Sequence, residues 1–106
     1  MAENDRCTIR VCFARLVNQI QDIEKISRFL YQWEILTFEE HKYFSKGNRK
    51  KKVILLLLTI PRRGNVLKFL IYALQNSEKE EVAAKILREN REMIQQGVIK
   101  FEGLSK

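Results

Sequence analysis

An all-α, six-helix antiparallel bundle is expected of this chain from three features. Apolar residues recur at three- and four-residue intervals along most of its length. Residues suited to begin helices, Asp22, Thr37, Asn48, Asn65 and Ser77, stand ahead of those runs. One proline and four glycines in 106 residues leave little to break a helix. The length makes one domain, large enough for a single core. There is no internal repeat, low-complexity segment or linker.

The first residues are expected to fray. From about Asp5, the positions Ile9, Phe13, Leu16, Val17 and Ile20 make one apolar stripe that ends near Gln21. Arg6, Arg10 and Arg15 lie off that stripe and should be exposed. Asp22 can cap a second helix with Ile23, Ile26, Leu30 and Trp33 inward. Thr37 followed three residues later by Glu40 has the form of a capping box, which opens a short third helix with Phe44 as its core residue. His41 belongs to that helix, as a partly buried or surface side chain rather than a ligand.

After Asn48 the run Val53 to Ile60 is apolar except for Thr59. It is far shorter than the 20 or so residues a bilayer crossing needs. A buried strand competes, since short apolar runs do not separate the two by themselves; the leucine dominance and helical flanks favour a fourth, central helix closed by Pro61 to Gly64. At 100° per residue Val53, Leu56, Leu57 and Ile60 share one face, and Lys51, Leu55, Leu58 and Arg62 point the other way. Either neighbours cover both faces, or the two outward leucines between cations form a surface for another protein.

Asn65 can cap a fifth helix carrying Val66, Leu67, Leu70, Ala73 and Leu74, broad enough to be buried on more than one side. Ser77 with Glu80 has the form of a second capping box, opening a sixth helix with Val82, Ala83, Ile86 and Leu87 inward. Glu81, Lys85 and Glu89 follow at one-turn spacing and support it modestly. Gly97 ends it. The helices should run 10 to 16 residues each, in one domain over residues 1–97, with a flexible C-terminal tail over 98–106.

The formal net charge is +7, unevenly spread. Between His41 and Ser77 there is no carboxylate, while Lys42, Lys46, Arg49, Lys50, Lys51, Lys52, Arg62, Arg63 and Lys68 supply nine cations. Acids gather at Asp22, Glu24, Glu34, Glu39 and Glu40, and again from Glu78 onward. A two-sided molecule of this kind suits an anionic partner or the stacking of like molecules. Cys7 and Cys12 point to different sides of one helix and are expected as reduced thiols. With a single histidine no zinc set is complete, and no phosphate loop or nucleophile motif occurs, so no catalytic, cofactor or metal residue is expected. The polar, charged start shows no signal peptide; a soluble cytoplasmic protein without membrane insertion is the expectation.

Six helices in this order, with Phe29-Leu30-Tyr31-Gln32-Trp33-Glu34-Ile35-Leu36-Thr37 joining the second to the third and Leu56-Leu57 ahead of Ile60-Pro61-Arg62-Arg63-Gly64, resemble a caspase recruitment domain (CARD) of the death-fold superfamily. The similarity spans roughly Arg10 to Leu87. Family members commonly carry glycine where Glu34 stands, so helix two must end differently or carry a left-handed residue there. Leu58 stands where the family often has a polar or acidic side chain.

The resemblance implies a six-helix death-fold bundle and binding rather than chemistry. A basic surface on helices one and four, here Arg10, Arg15, Arg49, Lys50, Lys51, Arg62 and Arg63, would meet an acidic surface on helices two and three, here Asp22, Glu24, Glu39 and Glu40. Leu55 and Leu58 would be apolar contacts. The implied partner is a CARD-containing protein, a caspase prodomain or an adaptor in apoptotic or innate-immune and inflammatory signalling, with a homo-oligomer or filament as a further form. The acid-free middle supplies an alternative, a basic helical nucleic-acid-binding protein, although the only aromatics close to that run are Tyr43 and Phe44 and no recognised motif accompanies them.

Overall fold

A computed structural model of the chain describes residues 2–97. The expected tail over 98–106 lies outside the described residues. Six α-helices follow one another: α1 (Glu3–Gln19), α2 (Ile23–Gln32), α3 (Phe38–Phe44), α4 (Arg49–Thr59), α5 (Leu67–Gln75) and α6 (Glu81–Gln95), with a 3-10 turn over Ile60–Arg62. No strand occurs among the described residues.

Local chemistry sets most of the boundaries. The Asp22 side chain accepts from Lys25 N–H to start α2, and Asn48 accepts from Lys51 N–H to start α4. Thr37 and Glu40 form both halves of the capping box on α3. Helix α2 ends as a Schellman motif, in which Ile35 N–H donates to Leu30 O at 2.9 Å and Glu34 N–H to Tyr31 O at 3.0 Å. The left-handed position falls on Glu34, with φ 61°, where glycine would carry no Cβ penalty. Pro61 sits in the first turn of the 3-10 segment, where its missing N–H breaks no bond.

Helix α1 packs most extensively on α6, and the order of contacts fixes their direction. Asp5 meets Arg91, Cys12 meets the Ile86 carbonyl, and the Gln21 amide meets Glu80, so the two helices run antiparallel. Leu16, Ile26, Leu30, Leu56, Leu70, Leu74 and Leu87 are fully buried and draw on all the long helices. Helix α5 lies between α2 and α6, with Leu67, Leu70, Ile71, Ala73 and Leu74 buried, as its broad apolar surface suggested.

The structure corrects several details. Helix α1 begins at Glu3 rather than about Asp5, and Asp5, Cys7 and Thr8 are buried, so its first turns are packed rather than frayed. The lengths spread from 7 residues in α3 to 17 in α1, beyond the expected range. Between the two alternatives left open for helix α4, the structure covers one face only: Val53, Leu56 and Leu57 are buried, while Ile54, Leu55 and Leu58 are exposed. Asn65 does not cap α5; its side chain accepts from Ala2 N–H at 3.0 Å, and Val66 takes the cap position. The Ser77–Glu80 box is not formed, because the Ser77 hydroxyl donates back to Ala73 O and the Glu80 carboxylate reaches the α1–α2 turn. Val82 points outward, 54% exposed.

Candidate protein-interaction surface

The outward stripe of α4 is the most distinctive exposed surface on the expected interaction faces. Leu55 is 38% and Leu58 55% exposed, with Lys51 and Arg62 exposed in step with them. Helix α1 runs alongside and contributes Arg6 and Arg10. A groove of about 200 Å³ opens between the two helices, lined by Arg6, Ile9, Arg10, Phe13, Leu57, Leu58 and Pro61. Arg10 and Leu58, widely separated in sequence, are thus brought to one site, a greasy floor between two guanidinium groups. Among the described residues Arg6, Arg10, Lys50, Lys51 and Arg62 have no carboxylate partner.

The other basic candidates are differently employed. Arg49 donates to Val17 O at 3.1 Å and to Ile20 O at 2.7 Å, placing its charge at the carbonyl-rich end of α1, where a cation is favoured. Arg15 turns towards α6, 3.5 Å from the Asn90 amide oxygen. Arg63 forms an ion pair with Glu40, so one residue assigned to the basic face neutralises one assigned to the acidic face. Lys52 lies over the Tyr43 ring and against Gly47, holding the α3–α4 loop rather than projecting. The nine-cation segment is therefore not one open basic surface.

The acidic candidates are likewise partly committed. Asp22 caps α2, Glu24 pairs with Arg28 at 3.1 Å, and Glu40 serves both the capping box and Arg63. Glu39 is exposed and has no ion-pair partner among the described residues. On α2 and α3 the structure leaves less free negative charge than the sequence totals suggest.

Three groups escaped sequence reasoning. Glu80 is 0% exposed, and burial pushes its carboxyl above the usual range against the lowering effect of the Asp22 and Gln21 N–H groups. Asp5, 5% exposed, receives Arg91 at 2.9 Å. Trp33, Phe69 and Tyr72 meet on the surface between α2 and α5. Only the last left a signal, two aromatics three residues apart on α5 outside its core stripe.

Chemistry has little to work with at these places. Ser27 and His41 Nδ1 stand 3.0 Å apart, but Ser27 is 0% exposed and its hydroxyl also lies 2.9 Å from Glu24 O, so no substrate carbonyl can reach it. Burial pushes the Cys12 thiol up to about 11, the opposite of an activated nucleophile. Among the described residues no group of three or more His, Cys, Asp or Glu side chains is placed to hold a metal, and no helix is long and apolar enough to cross a membrane. No protein-family model, curated protein or solved structure matches the chain.

Proposed function

We propose that the chain is a non-enzymatic homotypic interaction module of the CARD type, which recruits a caspase or an adaptor bearing a similar domain in apoptotic or inflammatory signalling. The observation that supports this reading is the joint α1–α4 patch, where Leu55 and Leu58 stay in water among Arg10, Lys51 and Arg62. Leucines at such positions carry a solubility cost that a partner surface would offset. The surrounding cations would steer an acidic partner and set its orientation, while desolvated leucine supplies the contact energy.

The working basic face on this reading is Arg10, Lys50, Lys51 and Arg62. Arg49 and Arg63 are instead committed to contacts within the chain. The acidic partner surface includes Glu39 and the Glu24 side of α2. Each exposed pair contributes roughly 0 to 1 kcal/mol, so assembly depends on repetition.

Size-exclusion chromatography with light scattering, over a concentration series at low and high salt, tests the proposal. Salt-reversible growth is expected, and R10E with K51E should abolish it while far-ultraviolet circular dichroism stays unchanged. The same pair of substitutions should abolish capture of CARD-bearing partners. Unchanged assembly and capture in the double variant would remove the α1–α4 patch from the interface.

A further inference from the structure

The end of α2 and the first turns of α5 place three aromatic rings together at the surface, on elements separate from the α1–α4 patch. The Trp33 ring centroid lies 5.8 Å from that of Phe69 and 5.5 Å from that of Tyr72. Phe29, one turn earlier on α2, stacks on the indole at 5.5 Å and holds it in place. The rings and Lys68 line an open cleft of about 380 Å³, with Phe69 37% and Tyr72 54% exposed. Apart from Lys68 the lining is aromatic, so an apolar side chain is what the cleft buries best.

Lys68 also ties this cleft to the end of the last helix. With Asn65, Arg91 and Gln95 it lines a second, polar hollow of about 330 Å³. Gln95 is the final residue of α6. Just beyond it, Gly97 N–H donates to Ile94 O at 3.1 Å, and its φ of 78° turns the chain off the α6 axis. The chain therefore leaves its last helix beside Lys68, at one rim of the aromatic cleft.

The sequence that follows, Val98-Ile99-Lys100-Phe101-Glu102-Gly103-Leu104-Ser105-Lys106, matches what stands at that rim. Phe101 comes four residues after Gly97, an extended reach of about 14 Å. That is enough to cross the width of one helix, about 10 Å, and so to pass from the end of α6 over the start of α5. Glu102 is the only acidic side chain in the stretch, and Lys68 has no carboxylate partner among the described residues. A tethered segment meets the cleft at an effective concentration on the order of mM, an advantage that no separate partner has.

We propose that the Trp33–Phe69–Tyr72 cleft is the docking site of this chain's own residues 98–106. The Phe101 ring packs against the aromatic walls and the Glu102 carboxylate pairs with Lys68. The docked segment covers the aromatic face and leaves the α1–α4 patch open, so the inference stands independently of the CARD reading.

Nuclear Overhauser spectra of the full chain test the contact directly. Cross-peaks are expected between the Phe101 ring and the rings of Trp33 or Tyr72, with relative intensities that do not change on dilution. Trp33 is the single tryptophan, so its fluorescence gives a second readout. Phe101→Ala should lower the docking equilibrium constant at least about tenfold, seen as a red shift of the emission and stronger quenching by acrylamide. Lys68→Glu should weaken docking about 2- to 5-fold, and combining it with Glu102→Lys should restore it. Absence of the cross-peaks, or an emission spectrum unchanged by Phe101→Ala, overturns the proposal. So do cross-peaks that fade on dilution, which would give the cleft to a second copy of the chain.

Discussion

Replacing Glu80 by glutamine keeps the shape of a fully buried side chain and removes its charge. The carboxylate accepts from Gln21 N–H at 3.1 and 2.9 Å and from Asp22 N–H at 3.0 Å, tying the start of α6 to the turn between α1 and α2. A glutamine oxygen at the Oε2 position still accepts from both N–H groups, but its amide NH2 replaces Oε1 and turns donors towards the Gln21 N–H. A donor left facing a donor costs about 1–3 kcal/mol when buried, and water reaching the exposed Gln21 recovers part of that. The expected net loss is about 1–2 kcal/mol, or a fall in Tm of about 4–16 °C for a domain this size. The pH dependence is the sharper test. Burial raises the folded carboxyl above its ordinary 4.5, with the N–H groups of Asp22 and Gln21 and the charge of Arg49 opposing and the Asp22 charge reinforcing. The folded chain then holds its proton to higher pH than the unfolded one. That contribution is fully present below about 4.5 and lost as pH rises through the folded value. The stability difference between the native chain and E80Q should therefore be largest in acid and shrink towards neutrality. Urea denaturation followed by circular dichroism from about pH 4 to about pH 7 measures it, since acid effects common to both proteins cancel. A difference that grows with pH would refute the reasoning, because the hydrogen bonds would then outweigh burial and the folded pKa would lie below the unfolded one.

Glu34→Gly should raise stability by about 0.5–1 kcal/mol, since glycine adopts the φ 61° of the α2 terminus without a Cβ clash; thermal melts with no gain would mean the loop tolerates the glutamate freely. Asp5→Ala should lower the urea midpoint by the equivalent of about 1–3 kcal/mol, less than for a fully buried pair because the Arg91 side chain is 31% exposed. A change under about 0.5 kcal/mol would show that the first turn of α1 contributes nothing to the packed state. Leu58→Asp, at a 55% exposed position, should leave the melting temperature within about 2–4 °C while reducing the salt-reversible association expected of the native chain; a large drop in stability would place Leu58 in the core instead.

Periodicity and capping chemistry made the helices legible. Asp22, Thr37 and Asn48 act within three residues of themselves, so sequence spacing alone determines the bond. The same logic failed at Ser77 and Glu80, which have the right spacing for a capping box. The α1–α2 turn, distant in sequence and with two amide donors to satisfy, competes for the carboxylate and wins. Asn65 was lost in the same way to the Ala2 amide. Local signatures hold where no distant backbone group is left in need, and that need is visible only once the chain is folded.

Charge was the least legible part of the candidate site, for a related reason. A run such as Arg49 to Lys52 reads as one basic surface in sequence, yet its two ends have structural uses, Arg49 on the α1 carbonyls and Lys52 on Tyr43. Arg63 finds Glu40, an acid from the supposed opposite face. What stays free for a partner is set by distance from helix ends and from other side chains. The exposed leucines were easier to place, because a helix with four apolar residues on one face and two on the other can bury only the first set against a single layer of neighbours. Spacing placed Leu55 and Leu58 opposite the core face but left open whether neighbours cover them; the structure leaves them exposed, and the interaction surface proposed above rests on that exposure. On that proposal the cations around them, rather than the net charge of the chain, would decide which partner charge the surface accepts.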